Sequence, residues 1–280
     1  MGAVYSSLDI RLIEYLRGAV PLNVLVETGS YKGDTVAAAV GRFQRIYSVE
    51  QSEELHAAVS ARFRREQAVT IIHGDSAPAL GKLRPELGGE SVFYWLDAHW
   101  CAGEDTAGSG SQCPLLGELG AIGTLNAESV IAIDDARLFL CPPTRPHDAS
   151  QWPRFDDVLA ALAGLSRAHR LMVVNDVILY FPAAVVDGAE KYAIERGVDW
   201  NQIVRVSSGG IDTIAELEAK ENTIRRQHEV LAGHRLAIRR LKRLLAECHA
   251  VQDQSSAALR VIRRMYSAVR IRITQLGWGR

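Results

Sequence analysis

The fold is decided by the stretch Val24-Leu25-Val26-Glu27-Thr28-Gly29-Ser30-Tyr31-Lys32-Gly33-Asp34-Thr35. Its three leading apolar residues predict a short buried strand, and the small residues at 36–40 predict a helix over about 34–43. A strand, a glycine-containing turn and a helix form the unit that holds nucleotide-like cofactors in doubly wound sheets. Glycine lacks a Cβ and lets the backbone approach a ligand closely. We therefore expect cofactor contacts along this turn, at Glu27, Thr28, Gly29, Ser30, Tyr31, Gly33 and Thr35.

The alternation of strand and helix continues as far as residue 182. Apolar runs predict strands at 45–50, 69–72, 92–97 and 130–135, with helical patterns between them. Two further apolar runs, 171–174 and 177–181, flank Asn175-Asp176 and predict an antiparallel hairpin. The run at 92–97 is almost entirely apolar, as expected of a central strand buried on both faces. The sequence thus predicts an α/β fold with a mostly parallel sheet and one antiparallel edge hairpin.

The glycine turn resembles a known motif. Glu27-x-Gly29-x-x-x-Gly33 does not match the dinucleotide pattern G-x-G-x-x-G, and the chain contains no phosphate-binding P-loop sequence. It looks like the first motif of class I S-adenosylmethionine-dependent methyltransferases, although a purely structural glycine turn is the alternative. Together with the five β/α repeats and the hairpin, the resemblance covers residues 7–182. It implies a seven-stranded Rossmann-like sheet, S-adenosylmethionine as the cofactor, and Gly29, Ser30 and Tyr31 facing its methionine part.

Acidic residues stand at the ends of several predicted strands, where open parallel sheets bind their ligands. The methyltransferase resemblance implies that Glu50, with Gln51 beside it, binds the ribose hydroxyls of the cofactor. It also implies that Asp75 and Ser76 contact the adenine. Each of these acids has an ordinary alternative interpretation as a helix N-cap or a solvated loop residue.

A second group of acids follows the fourth and fifth predicted strands, at Asp97 and at the pair Asp134-Asp135. Since these strands are neighbours in the expected sheet order, the three carboxylates can converge on a Mg²⁺ ion. Their spacing is similar to that in the metal-dependent macrocin O-methyltransferase group, which methylates sugar hydroxyls. A metal there would hold substrate oxygens and lower the pKa of the attacking hydroxyl. Alternatively, Asp134 caps the loop and only one of the other two acids matters.

Methylation of an alcohol requires a base, and His99 lies two residues after Asp97. We predict catalytic roles for His99 and Asp97, with His147 and Arg137 as second candidates in the loop after the fifth strand. Asp97 is also expected to contact the cofactor. A zinc site is not favoured, because His99, Cys101, Cys113 and Cys141 follow no usual zinc-ligand spacing. Cysteines this irregularly spaced fit a reducing compartment. With no apolar run of membrane-spanning length and no secretory pattern, the sequence predicts a cytoplasmic protein.

The last part of the chain differs in charge and in pattern, which predicts domains at 1–212 and 213–280. Residues 213–280 contain 14 Lys and Arg against 6 Asp and Glu, whereas residues 1–212 carry a net charge of −9. Apolar residues recur every seven positions in the second segment, at Leu217, Ile224, Leu231, Ile238 and Leu245. This spacing predicts a long coiled-coil-like helix that makes the protein a homo-oligomer. The alternatives are an amphipathic helix packed on the first domain, and a basic helix in peripheral contact with the inner membrane face.

Taken together, the sequence predicts an S-adenosylmethionine- and Mg²⁺-dependent O-methyltransferase. The acceptor is expected to be a sugar-containing small molecule or a polysaccharide, and nucleic acid is not expected because the basic tail has few aromatic residues. Two alternatives stay open. One is a metal-independent methyltransferase of a small natural product, and the other is an inactive methyltransferase-like scaffold that works through its coiled coil.

Overall fold

The computed structural model describes residues 7–100 and 111–198, together with residues 234, 237, 238, 240–242 and 262–268. The chain divides into two compact units, residues 1–199 and 200–280. In the second unit the described positions are all helical, but most of the predicted heptad pattern lies outside them. The predicted domain boundary at 212/213 also lies outside the described residues. The remainder of this subsection concerns the first unit.

Seven strands form one sheet in the order β3-β2-β1-β4-β5-β7-β6. The strands are β1 Val24–Thr28, β2 Arg45–Glu50, β3 Val69–His73, β4 Val92–Leu96, β5 Val130–Ile133, β6 His169–Val174 and β7 Val177–Pro182. The first five pair in parallel, and β7 is antiparallel to both β5 and β6. This mixed sheet, with its strand order and reversed edge hairpin, confirms the predicted Rossmann-like methyltransferase fold.

Eight α-helices connect the strands or flank the sheet in the described part of the first unit. They are α1 Ile10–Leu16, α2 Asp34–Ala39, α3 Glu53–Phe63, α4 Ser76–Leu87, α5 Leu115–Ile122, α6 Arg137–Leu140, α7 Phe155–Leu165 and α8 Val186–Arg196. None of the helices described by the structure combines the length and the apolar character needed to cross a membrane.

Helices cover both faces of the sheet, and the alternation of side chains along β1 explains why its first three residues are all apolar. Leu25 enters a core shared with α1, α2, α3 and α8, whereas Val24 and Val26 enter a second core shared with α4, α5 and α7. Successive side chains of a strand point to opposite faces, so a strand between two helical layers needs apolar residues at every position. β4 follows the same rule, and all five of its residues are buried.

Three helix boundaries differ from the sequence pattern. α2 ends at Ala39 rather than near residue 43, because the backbone leaves the helical conformation at Val40 and Gly41 follows at φ +76°. The sequence pattern predicts α4 only over 77–83, but the helix continues to Leu87, with Pro85, which has no backbone N–H to donate, in its last turn. α6 was not expected at all and places a helical turn directly after the Asp134-Asp135 pair.

The β6–β7 connection is the two-residue turn Asn175-Asp176, as predicted. Both residues have positive φ, +52° and +67°, as the tight hairpin turn that matches strand twist requires. Both are also buried, each only 6% exposed, which is unusual for a hairpin turn. This turn packs at the end of β5, where the carbonyl oxygen of Asp176 accepts from the amide of Ala136.

Gly33 connects the glycine turn to α2 and offers a test of how this turn is packed. Its φ is +78°, and a Cβ at this position would lie 2.7 Å from the Phe63 ring. Gly41 has nearly the same φ, +76°, but open space around it. We expect Gly41→Ala to cost about 1–2 kcal/mol for the left-handed backbone alone. Gly33→Ala should cost about 1–3 kcal/mol more because of the steric overlap. Urea denaturation of both variants measures the difference, and equal losses would contradict close packing at Gly33.

Candidate functional site

A cavity of about 290 Å³ opens at the edge of the sheet where β1, β2, β3 and β4 end. It is near the lower end of the usual range for small-molecule sites, about 300–1,000 Å³. Most residues that the sequence nominated for the cofactor line it: Glu27, Gly29, Ser30, Tyr31, Thr35, Glu50, Gln51, Asp75, Ser76 and Asp97. His99 lines it as well. Thr28, Gly33, Asp134, Asp135 and His147 do not.

The cavity exists because β1 and β4 come very close at their ends. A Cβ on Gly29 would lie 2.4 Å from the carbonyl oxygen of Asp97, and Gly29 has a φ of +86°. Only glycine fits both conditions without displacing the backbone. Thr28 lies behind this point, where its Oγ1 and carbonyl oxygen both accept from the amide of Asp97. Its side chain therefore supports the junction instead of facing the cavity.

Glu50 is held in place at the end of β2. One carboxylate oxygen accepts from the amide of Tyr31 at 2.9 Å and the other from the amide of Ser52 at 2.8 Å. Tyr31 has a φ of +48°, so the backbone of the turn is bent in a way that aims its amide at Glu50. Each carboxylate oxygen has a second lone pair, and Glu50 lines the cavity. The side chain is thus oriented to accept two hydroxyl groups from a ligand.

Glu27 is the most deeply buried acid of the cavity wall. Its carboxylate accepts hydrogen bonds from the hydroxyls of Ser48 and Thr35, and Ser48 is in turn bonded to Ser30. Burial raises the pKa of Glu27 to about 7, against the lowering effect of the two hydroxyls. A positively charged ligand group near Glu27 would favour its ionised form.

Asp75 and Ser76 begin α4 at the far end of the cavity. Asp75 is the N-cap and accepts from the amide of Ala77 at 3.3 Å, so the ordinary interpretation of this residue as a cap is correct. Ser76 and Thr28 both donate to Glu118, a buried acid on α5 whose pKa is raised by burial. Glu118 was not among the predicted site residues. The signal was present: it is an acid within the apolar helix face formed by Leu115, Leu119 and Ile122.

The structure separates the three aspartates into a pair and a single residue. Asp97 and Asp134 each follow the last paired positions of β4 and β5, Leu96 and Ile133, so they are neighbours at the sheet edge. Burial and the Asp134 charge raise the pKa of Asp97 well above its usual range. Burial and Asp135 raise the pKa of Asp134 to about 6. Negative charge is therefore poorly compensated at Asp97 and Asp134.

The negative charge of Asp135 is compensated by His99 and Arg137. One of its oxygens lies 2.9 Å from Nε2 of His99, and the other accepts from Nη1 of Arg137 at 2.6 Å. Although burial acts to raise the pKa of Asp135, His99 and Arg137 lower it below its usual value. His99 also lies 3.8 Å from Asp97. Arg137, a second candidate for the catalytic base, is instead an ion-pair partner of Asp135 and Asp176.

This arrangement fits a divalent cation only in part. Within residues 7–100 and 111–198, no group of three or more His, Cys, Asp and Glu side chains is arranged to hold a metal ion. The predicted third ligand, Asp135, already has both oxygens occupied by His99 and Arg137. Asp97 and Asp134 do fit, since two mutually repelling carboxylates are a suitable donor set for Mg²⁺, which keeps several of its waters.

His147 lies beside the site rather than in it. Its ring packs against Trp100 and Trp152, with ring centroids 5.5 and 5.2 Å away, and Trp152 in turn contacts His99 at 5.6 Å. Burial lowers the pKa of His147. The structure therefore places His147 in an aromatic wall that supports His99, and not at the cavity itself.

Gln112 fastens this wall to the segment after β4. Its Oε1 accepts from the amide of Asp148 at 2.8 Å and from the indole of Trp152 at 3.2 Å. Its carbonyl oxygen accepts from the amide of Trp100 at 2.7 Å. The sequence analysis did not single out Gln112, because a glutamine in a loop of small residues gives no pattern. Cys101 and the loop after His99 fall within residues 101–110, which lie outside the described residues.

No family model and no curated protein sequence matches the chain. Among solved structures, it is similar to a putative rRNA methylase from Clostridium thermocellum, with 13% identity, a TM-score of 0.44, and coverage of 64% of this chain and 97% of that one. An O-methyltransferase from Bacillus cereus in complex with SAH has 14% identity, a TM-score of 0.42, and coverage of 61% and 78%. The SAM-bound amino pentose methyltransferase CalS10 from Micromonospora echinaspora has 13% identity and a TM-score of 0.40, and the match covers 62% of this chain and 89% of that one. These identities and TM-scores are too low to assign a function to the chain.

The raised pKa of Glu27 makes the stability of the protein depend on pH. Between its ordinary value of 4.5 and about 7, the folded state holds a proton that the unfolded chain releases. The stability of the wild type relative to Glu27→Gln should therefore fall as pH rises through this window, by up to about 3 kcal/mol. Urea denaturation at a series of pH values measures it, with Glu54→Gln on the exposed face of α3 as the control. A constant difference between wild type and Glu27→Gln would contradict the prediction.

Proposed function

We propose that the protein is an S-adenosylmethionine-dependent O-methyltransferase that acts on a hydroxyl of a sugar-containing acceptor. The observation that carries the proposal is a single cavity at the sheet edge with an acidic lining. Glu27, Glu50, Asp97 and His99 all line this cavity. S-adenosylmethionine carries a ribose and a positively charged sulfonium. The ribose hydroxyls can donate to a carboxylate, and the positive charge is favoured beside buried acids.

The cofactor part of the cavity suits S-adenosylmethionine by its chemistry. Glu50 offers two fixed carboxylate oxygens to a ribose diol, and each is oriented by a backbone amide. Glu27, Ser30 and the turn at Gly29 form a buried acidic wall where a cationic methionine part is favoured. When bound, S-adenosylmethionine supplies an electrophilic methyl group. The protein residues bind it, exclude water and direct it toward Asp97 and His99.

The acceptor part of the cavity suits a hydroxyl. The ionised carboxylate of Asp135 can only accept hydrogen bonds, so His99 must donate from Nε2, and its Nδ1 carries the lone pair. A neutral imidazole held in this way is a suitable general base for an alcohol. His99 is itself 8% exposed and lines the cavity, so a bound acceptor can reach it. We assign the sugar-containing acceptor from the pattern Asp97 and Asp134-Asp135, which is similar to that of sugar O-methyltransferases.

We further propose that Mg²⁺, if used, is held by Asp97 and Asp134, and that Asp135 is not a ligand. The bound ion would lower the pKa of an acceptor hydroxyl and relieve the repulsion between the two carboxylates. The involvement of Asp135 with His99 and Arg137 also favours a second candidate, a metal-independent methyltransferase. In that case His99 and Asp135 alone would take up the proton.

Binding of the cofactor tests the enzyme proposal before any acceptor is known. Isothermal titration calorimetry with S-adenosylmethionine and S-adenosylhomocysteine should show binding by the wild type. Glu50→Gln should weaken it about 10- to 100-fold, because a charged acceptor of hydrogen bonds is lost. Glu54→Gln, four residues further on and exposed, should bind like the wild type. Absence of binding by the wild type at millimolar concentration would favour the inactive scaffold instead.

Metal titration distinguishes the two candidate functions. Methyl transfer to a panel of glycosides is measured by the gain of one methyl group in the product, first in a chelator and then with added Mg²⁺. We expect activity to depend on Mg²⁺, with Asp134→Asn raising the Mg²⁺ concentration for half-activity about tenfold or more. Asp135→Asn should lower kcat and leave that concentration unchanged. Full turnover in the chelator would contradict the proposed requirement for Mg²⁺ and favour the metal-independent enzyme.

For the C-terminal segment we propose self-association through residues 213–280 in a cytoplasmic protein, with peripheral membrane contact as the alternative. The support is the seven-residue spacing of apolar residues and the excess of basic residues. Residues 262–268 are helical, and Met265 and Tyr266 are exposed there. Sedimentation of the full chain and of a chain ending at residue 212 would show whether residues 213–280 cause self-association.

A further inference from the structure

The β6–β7 turn is connected to the candidate base through a continuous chain of side-chain contacts. Asp176 Oδ2 pairs with Nη1 of Arg137, and the same guanidinium nitrogen contacts Asp135. The other oxygen of Asp135 lies 2.9 Å from Nε2 of His99. His99, Asp135 and Asp176 are all buried. Two carboxylates therefore share one guanidinium, and one of them, Asp135, also contacts the histidine.

Asp176 also holds the backbone on which Asp135 and Arg137 stand. Its carbonyl oxygen accepts from the amide of Ala136 at 2.7 Å, and its Oδ1 accepts from the amide of Arg137 at 2.8 Å. Asp135 itself has a φ of +55°, a conformation that a non-glycine residue keeps only where its surroundings impose it. The contacts from Asp176 impose it, and they do so from a residue far away in the sequence.

The turn itself is rigidly placed. Asn175 donates from Nδ2 to the carbonyl oxygen of Arg196 at 3.0 Å and accepts from the amide of Val198 at 2.8 Å. It therefore ties the turn to the end of α8. A hairpin turn that were only a connection would lie in water and would have no need for two buried polar residues. Its burial against the end of β5 suggests that the turn acts on the residues there.

We propose that Asp176 and Arg137 are positioning residues that hold Asp135 in the orientation that fixes the ring and the tautomer of His99. The proposal rests on the proposed function, because His99 matters for catalysis only if the protein transfers methyl groups. An aspartate that is clamped on one oxygen by Arg137 presents the other oxygen to His99 in one direction only. His99 then keeps its proton on Nε2 and its lone pair on Nδ1.

Without the clamp, Asp135 could rotate toward solvent or toward Asp134, and His99 would lose its fixed hydrogen-bond acceptor. The neutral ring would then populate both tautomers. Since the cofactor contacts at Glu27 and Glu50 belong to β1 and β2, they should not change. The inference therefore predicts a loss in kcat without a loss of cofactor binding.

Nuclear magnetic resonance of the imidazole nitrogens tests the proposal directly. Long-range ¹H–¹⁵N correlation spectra of ¹⁵N-histidine-labelled full-length protein report which ring nitrogen carries the proton, and His99→Gln assigns the His99 signals. We expect an Nε2-protonated His99 in the wild type and a mixture of tautomers in Arg137→Met and Asp176→Asn. Arg137→Lys, which keeps a cation, should restore much of the wild-type pattern. This measurement needs no acceptor and no activity.

Kinetics with an accepted substrate supply the second measurement. Arg137→Met and Asp176→Asn should lower kcat about 10- to 100-fold while the calorimetric affinity for S-adenosylmethionine stays unchanged. Arg154→Met is the matched control, because Arg154 also pairs with an aspartate two residues away but at the exposed start of α7. It should change neither quantity.

The outcomes are distinct. An unchanged His99 spectrum in both Arg137→Met and Asp176→Asn would overturn the positioning role, whether or not kcat falls. If Arg137→Met fails to fold, Asp176→Asn remains, because it keeps Oδ1 and the carbonyl oxygen that hold the backbone. A mixture of tautomers in a protein that transfers no methyl group would support the positioning role and contradict the proposed function alone.

Discussion

The parallel, in-register pairing of β1 with β2 and β4 is the constraint on which the rest of the structure depends. Because Thr28 pairs with Val49 on one side and Leu96 on the other, the three strands end at the same level. The residues that follow, and the acids near the strand ends, are thereby collected at one edge. Gly29 is needed at this level, since the carbonyl of Asp97 occupies the place of a Cβ. The cavity is a direct consequence of this register.

Collecting acids at a buried edge has an electrostatic cost, and the protein compensates it differently at each acid. Glu50 receives two backbone amides, Glu27 receives two hydroxyls, and Asp135 receives an imidazole and a guanidinium. Burial and neighbouring aspartates raise the pKa of both Asp97 and Asp134, since Asp97 is repelled by Asp134 and Asp135, and Asp134 is repelled by Asp135. Charge that the chain does not compensate is where a cationic ligand is most favoured. The acids thus differ in role because their surroundings differ, although they share one edge.

The sequence was a good guide to the fold and to the residues that line the cavity. Apolar runs predicted every strand, and the turn Asn175-Asp176 predicted the hairpin, because these are local signals of burial and backbone conformation. It was a weaker guide to the surroundings of His99. His147 and Arg137 were nominated as bases, yet the first packs between tryptophans and the second pairs with two aspartates. Glu118 and Gln112 were not nominated, because a single buried polar residue has no periodicity.

By itself the sequence determined the α/β class, the strand-ending acids and the glycine turn, since each of these follows from neighbours within a few residues. Only the tertiary structure decided how the three aspartates divide. Asp97 and Asp134 become neighbours through strand register, and Asp135 becomes the partner of His99 because a turn some 40 residues later presents Asp176 to Arg137. Contacts between residues so far apart depend on how the whole sheet packs, and no local pattern records them.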